Sequence, residues 1–298
     1  MVLLATHNGM PWLEEQLNSI LSQRDVNVEL HISDDASSDD TIDYLTNLAQ
    51  KDIRIKLLSP RKLGSAGKNF FRLINEVDLQ DKCDYVAFSD QDDIWEPNKL
   101  IRHIDLAKKN KADGVSSDVT AFWESGPKRL IVKSQPQLKW DYLFESAGPG
   151  CTFLMTPWLL NKVREQLMNP QSYAPQVVLH DWLTYAVCRA HGRKWIIDPQ
   201  PSMLYRQHSN NVVGANIGLK AKFARFKKLR QGWYRAEVIK VVQVAILISG
   251  SNEIKKIGKL LSQRSLFNQI RLLEYVPQVR RSFLDRLMLF VLIASFLF

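Results

Sequence analysis

Cysteine is scarce in this chain of 298 residues: Cys83, Cys151 and Cys188 are odd in number, widely spaced and form no CxxC pair. That excludes a disulfide framework and a cysteine zinc site, and it fits a reducing compartment. Long apolar runs are also missing. The most apolar stretch, residues 287–298, has twelve residues, whereas a spanning helix needs about 20. No basic leader precedes Val2-Leu3-Leu4-Ala5, so a secretory signal is not expected. No GxGxxG follows the first expected strand and no GxxxxGK[ST] occurs anywhere. The glycine-rich cradles that hold phosphates are therefore excluded. Nor does any DNA- or RNA-binding motif accompany the basic residues.

What is present suits a large globular domain. Hydrophobic residues make up 45% of the chain, enough for a sizeable core. The formal charge of +9 is uneven: residues 219–298 carry 16 Lys/Arg against 4 Asp/Glu, and the first 218 carry 24 against 27. The basicity belongs to the tail, and a basic tail attracts polyanions.

In the first 90 residues, patterning predicts strands at 1–5, 26–33, 53–58 and 85–88, with helices at 11–21, 42–49 and 70–76 between them. Residues 64–69 read as a small-residue loop. Such alternation implies a parallel sheet with right-handed crossovers. Further strands are expected at 114–121, 129–133, 153–156, 194–198 and 202–205, and a helix from His180 to about Ala190. Each early strand ends in a polar loop, so one sheet edge gathers Thr6, Asp34, Asp35, Asp90 and Asp92. Ligands of open α/β sheets bind at that edge.

The densest loop is Ser89-Asp90-Gln91-Asp92-Asp93-Ile94-Trp95. Three carboxylates this close repel one another unless a cation or hydrogen bonds neutralise them. Mg²⁺ or Mn²⁺, held by one or two carboxylates and substrate phosphates, would do so. An acidic turn capping the next helix is the plainer account of the same residues.

Taken in order, Ala5-Thr6-His7-Asn8, the run from Asp34 to Thr41, Asp90-Gln91-Asp92, His180-Asp181-Trp182 and Tyr205-Arg206-Gln207-His208-Ser209-Asn210-Asn211 resemble family 2 glycosyltransferases of the GT-A fold. More narrowly, they resemble the bacterial rhamnosyltransferases of cell-surface polysaccharide synthesis. His7 stands where that family more often carries Tyr. The resemblance implies an α/β fold with a mostly parallel sheet flanked by helices, as a catalytic unit at 1–215 followed by a basic helical region at 216–298. It implies metal-dependent, inverting transfer of a sugar, rhamnose from dTDP-rhamnose or a hexose from a UDP-sugar, to a lipid-linked saccharide. Thr6 with Asp34 or Asp35 would meet base and ribose, Lys68 would help close the donor pocket, and Asp90 would contact ribose or metal. Asp92 with Mg²⁺ or Mn²⁺, His208 and Arg206 would meet the diphosphate. Asp181, at a helix start whose dipole favours its ionised form, would be the general base. Gly150, Cys151 and Trp182 would line the acceptor site.

The tail interleaves Lys220, Lys222, Arg225, Lys227, Lys228, Arg230 and Arg235 with Phe223, Phe226, Trp233 and Tyr234, and Arg280, Arg281 and Arg286 precede the apolar end. That composition suits a helix lying on an anionic membrane. Peripheral association with the cytoplasmic face of the plasma membrane is the expected location. No nucleic acid partner is expected, and a second copy of the chain is a candidate partner. The rival reading is a non-catalytic membrane- or nucleic-acid-binding protein whose acidic loops are only caps.

Overall fold

The computed structural model describes residues 1–79, 83–124, 126–208 and 232–298. The basic run at 220–230 and the end of the 205–214 motif lie outside these. A seven-stranded sheet forms the centre, in the order β10-β6-β9-β4-β1-β2-β3. Its strands are β1 (Val2–Thr6), β2 (Leu30–Asp34), β3 (Ile55–Leu57), β4 (Val86–Ser89), β6 (Gly114–Ser117), β9 (Leu154–Met155) and β10 (Trp195–Asp198). All neighbours run parallel except at β9, which pairs antiparallel with β4 and β6. The register sets Thr6 beside Asp34 and Leu4 beside Ser89, so the polar loops emerge along one edge as expected.

Helices α1 (Met10–Leu21), α2 (Thr41–Lys51), α3 (Ala66–Glu76), α4 (Lys99–Asn110), α5 (Pro157–Met168) and α6 (His180–Ala190) cover the sheet. The small residues at 64–69 are not a loop throughout. Ser65 caps α3, its Oγ accepting from the Lys68 amide at 3.3 Å, so Lys68 and Asn69 lie in the first helical turn. The strand expected at 26–33 is shorter, because its first half precedes the pairing with β1.

The strand expected at 114–121 breaks at Asp118. β6 stays in the main sheet, while β7 (Val119–Phe122) joins a second sheet, ordered β5-β11-β7-β8, with β5 (Ile94–Trp95), β8 (Arg129–Ile131) and β11 (Met203–Arg206). The Asp118 carboxylate accepts from the Lys133 amide at 2.6 Å and the Ser134 amide at 2.9 Å, which fixes the switch between sheets. Antiparallel pairing of β11 with β5 carries Arg206 back over the acidic turn.

Beyond the gap come α7 (Trp233–Ser249), α8 (Asn252–Ser262), α9 (Leu266–Leu273), α10 (Val276–Val279) and α11 (Phe283–Ala294). None of the described helices is long and apolar enough to cross a membrane. α7 packs on α6, and Val238, Val241, Val242 and Ala245 join one hydrophobic core with Phe70, Phe88 and Leu183. Arg280 and Arg281, expected to face a membrane, turn inward instead. Arg281 reaches the fully buried Asp141 at 3.0 Å, where the Tyr185 hydroxyl also donates, and Arg280 pairs with Asp285 at 3.0 Å. A buried carboxylate needs such partners, since alone it would lose its hydration uncompensated.

Candidate active site

β4 delivers the acidic turn, and its residues are held from α1, the loop after β1 and the end of β11. Gln16 donates to the Ser89 hydroxyl at 2.6 Å. The Gln91 amide brackets the His7 backbone, accepting from its N–H at 2.7 Å and donating to its carbonyl at 2.9 Å. Asp92 takes the His208 Nε2 at 2.7 Å on its carboxylate and the Arg206 Nε at 2.8 Å on its carbonyl. Asp93 is fully buried and accepts from the Arg206 amide at 3.1 Å. Arg206 also pairs with Glu15, and the His208 ring stacks on Trp12 at 4.0 Å.

Negative charge is in excess here. Burial, then the neighbouring Asp92 and Asp181, push the Asp90 carboxyl up to about 7. Burial and the same neighbourhood push Asp93 well above the usual carboxylate range. Beneath them lies Lys99, a fully buried lysine that donates to the Cys151 carbonyl at 2.5 Å and sits 3.2 Å from the Trp95 ring centre. Burial drives its ammonium well below the ordinary lysine range.

Across the space stands Asp181, in the first turn of α6, half-buried and accepting from the Trp182 amide at 2.7 Å. Burial raises its carboxyl to about 6, against the pull of hydrogen bonds from Trp182 and Ser146 and of the Lys133 charge. The two carboxylates flank one short turn: Gly150 packs against Asp181, and the Cys151 thiol next to it lies within 4.8 Å of the Asp90 carboxylate. Gly150 makes that approach possible: a Cβ there would lie 2.5 Å from the His180 Nε2 and 3.2 Å from the Asp181 Cβ. His180 itself is structural, stacked on Phe70 at 3.8 Å, and burial lowers it to about 3, so it stays neutral.

Other expected site residues lie elsewhere or are already engaged. Asp34 is fully buried, and its carboxylate accepts from the Thr6 hydroxyl at 2.8 Å, the Ser37 amide at 2.7 Å and the Ser37 hydroxyl at 2.6 Å. It organises the loop rather than facing a base, and Thr6 is committed to it. Asp35 accepts from the Leu63 and Gly64 amides, the latter at 2.9 Å, and so ties down the loop before α3. Trp182, expected to wall the acceptor site, is a core residue whose indole donates to the Tyr142 carbonyl at 2.9 Å. Cys151 lies buried behind the turn, its thiol pushed up by burial, not on an acceptor surface. Lys68 is exposed on α3.

The expected metal set is Asp90, Asp92 and His208; among the described residues the ligand atoms that gather within 4.8 Å of one another are instead those of Asp90, Asp93 and Cys151. A protonated thiol and a carboxylate sealed against Arg206 suit a hard cation less well than the two carboxylates of Asp90 and Asp92. Gln91, Lys99, Glu15 and Trp12 escape a reading of the sequence. Lys99 in particular looks like any solvated lysine opening a helix.

Comparison with known proteins adds relatives of stated activity. Residues 1–148 match the family described as Glycosyl transferase family 2. The chain is 46% identical over 240 residues to "dTDP-rhamnosyl transferase RfbG" of Shigella flexneri, covering 80% of this chain and 83% of that one. It is 28% identical over 174 residues to "UDP-Glc:alpha-D-GlcNAc-diphosphoundecaprenol beta-1,3-glucosyltransferase WfgD" of Escherichia coli, 58% of this chain and 66% of that protein. In three dimensions it resembles S. aureus TarS 1-349 in complex with UDP-GlcNAc, with a TM-score of 0.54 at 15% identity over 92% of this chain and 78% of that one. At that identity the likeness speaks for the GT-A fold alone.

Proposed function

Because this chain belongs to glycosyltransferase family 2, we propose that it moves rhamnose from dTDP-rhamnose to a hydroxyl of a lipid-linked saccharide, with inversion. The observation that carries this reading is that Asp90, beside Cys151, and Asp181, beside Gly150, flank the same short turn. The donor follows from the 46% identity to a dTDP-rhamnosyl transferase. A UDP-hexose is the second reading, favoured by the likeness to a UDP-glucose enzyme, since uracil and thymine present the same ring edge.

In this mechanism Asp181 takes the proton of the acceptor hydroxyl as its oxygen attacks the anomeric carbon. The bond to the diphosphate breaks, and the diphosphate leaves with the electron pair. A carboxyl raised to about 6 is ionised at neutral pH yet basic enough to accept a proton. The unneutralised charge of the turn fits a divalent cation: Asp90 and Asp92, with His208 beside them, would hold Mg²⁺ or Mn²⁺. When bound, the ion supplies positive charge to the departing diphosphate. Arg206 holds the turn in place through the Asp92 carbonyl and the Asp93 carboxylate. Thr6 and Asp35 shape the base and ribose end through the loops they fasten, Lys68 reaches the donor from the first turn of α3, and Gly150 floors the acceptor side. Residues 1–215 are the unit that carries this site. The second unit, residues 216–298, brings it through its described helices from Trp233 onward to the cytoplasmic membrane face, where a lipid-linked acceptor is presented.

The test is a screen of nucleotide-sugars for transfer and hydrolysis, with and without Mn²⁺, on the parent, Asp92→Asn and Asp181→Asn. Asp92→Asn is expected to lose metal-dependent donor binding, and Asp181→Asn to keep binding and lose transfer. Full activity of both variants would sink the assignment.

A further inference from the structure

The C-terminal helices leave a large apolar surface facing outward. α11 buries Leu289, Leu292 and Ile293 but turns Phe283, Leu284, Leu287 and Phe290 to the outside, the first two each 69% exposed. α9 packs against α11 and adds Phe267 and Ile270, 64% and 56% exposed. Contiguous faces of this kind on a folded protein mark a binding surface.

We infer that this face inserts into the interface of a phospholipid bilayer, with α9 and α11 lying in the membrane plane. Three observations favour lipid over a second copy of the chain. First, the outward side chains are apolar, and the polar groups beside them are arginines laid along their rings: Arg286 over Phe283 and Arg271 over Phe267. Asp285, the one acid of α11, points to Arg280, whereas protein interfaces carry about one hydrogen bond per 100–200 Å². Hydrocarbon asks for none. Second, the exposed charges nearby are mostly basic: Lys255, Lys256 and Lys259 on α8 and Arg264 before α9, against Glu253 and Glu274. The basic ones suit headgroup phosphates, and in a twofold dimer they would confront their own copies. Third, α11 has twelve residues, too few to span but enough to lie in the interface.

The same geometry revises what holds the protein to the membrane. Arg280 and Arg281 are consumed inside, so attachment rests on apolar insertion more than on charge. Those two arginines also set the position of the site. Arg281 donates to the Ser146 carbonyl at 2.6 Å, in the loop that runs on to Gly150 beside Asp181. Inserted α11 therefore places the acceptor side of the site near the lipid surface. That catalytic meaning rests on the glycosyltransferase reading; the docking itself does not.

Flotation of the full chain with vesicles of phosphatidylcholine alone, and of phosphatidylcholine with phosphatidylglycerol, across a salt titration tests it. Binding to both is expected, with phosphatidylglycerol adding a few-fold increment that salt removes. Phe283→Ser with Leu287→Ser should lower partitioning roughly a hundred-fold, at about ten-fold per inserted side chain. Phe267→Ser with Ile270→Ser tests the α9 half independently, should the first variant misfold. Unchanged melting and unchanged dTDP binding in either variant show that the fold is intact. The inference is overturned if the parent chain ignores both vesicle types, if salt abolishes all binding, or if the face holds a dimer that Phe283→Ser with Leu287→Ser dissolves. Flotation without donor binding or transfer would sink the catalytic reading and leave this one standing.

Discussion

At the acidic turn, charge is gathered at the mouth of a site and kept under strain by its neighbours; in the C-terminal helices, charge is folded inward and the outside is apolar. Burial, then Asp92 and Asp181, raise the cost of ionising Asp90, and a site that binds a cation gains from that tension. Asp141, by contrast, is matched by Arg281, Arg189 and Tyr185 until nothing remains for a ligand. Charge density alone therefore does not separate a functional carboxylate from a structural one. What separates them is whether the surrounding donors are already sufficient.

The sharpest way to break the contrast is to neutralise one member of each region. Asp181→Asn should lower kcat by about 10²–10⁴-fold with donor affinity kept, measured by steady-state kinetics and calorimetry. Arg281→Met should leave donor affinity per folded molecule intact but destabilise the fold by about 3–5 kcal/mol, read by denaturant unfolding. If Arg281→Met instead abolished donor binding in a fully folded protein, the division between the regions would fail.

Smaller effects sharpen the picture. Gly150→Ala should cost about 1–3 kcal/mol by overpacking His180 and should depress transfer more than donor binding, because the clash displaces the helix start that carries Asp181. The pH profile of transfer should show an acid limb near pH 6: the base works deprotonated, so the rate falls as pH drops through that value. A limb lying well below pH 5 would point away from Asp181. Gln91→Ala, which removes the bracket on His7, should cost about 1 kcal/mol, seen as a few-fold weaker metal-dependent donor binding.

Much of the architecture was legible because β1, β2 and β4 are short buried runs ending in polar loops, and their order dictated a parallel sheet. The break at Asp118 was not legible: residues 114–121 read as one strand, and only the tertiary amides of Lys133 and Ser134 turn Asp118 into a corner. In the site, Asp90, Asp92 and Asp181 stood out through clustering and position. The intramolecular partners of Asp34 were not legible, because a carboxylate at a strand end looks the same whether its donors come from a ligand or from Ser37. Trp182 was misread because aromatic residues serve cores and sugar sites alike. Lys99 and Gln91 left no signal, since burial of the one and the backbone bracket of the other arise only when distant segments meet. The tail's basic composition suggested electrostatic attachment, yet ion pairs formed on folding withdrew Arg280 and Arg281 from the surface.

The ion pair between Arg281 and Asp141 also limits how the protein can be shortened. A chain cut near residue 215 would keep every proposed donor ligand but take Arg281 from the Asp141 carboxylate, leaving it Arg189 and Tyr185, and strip the wall of valines from α6. Such a fragment should precipitate on expression, so the nucleotide-binding half cannot be harvested by itself: its solubility is underwritten by the helices from Trp233 onward.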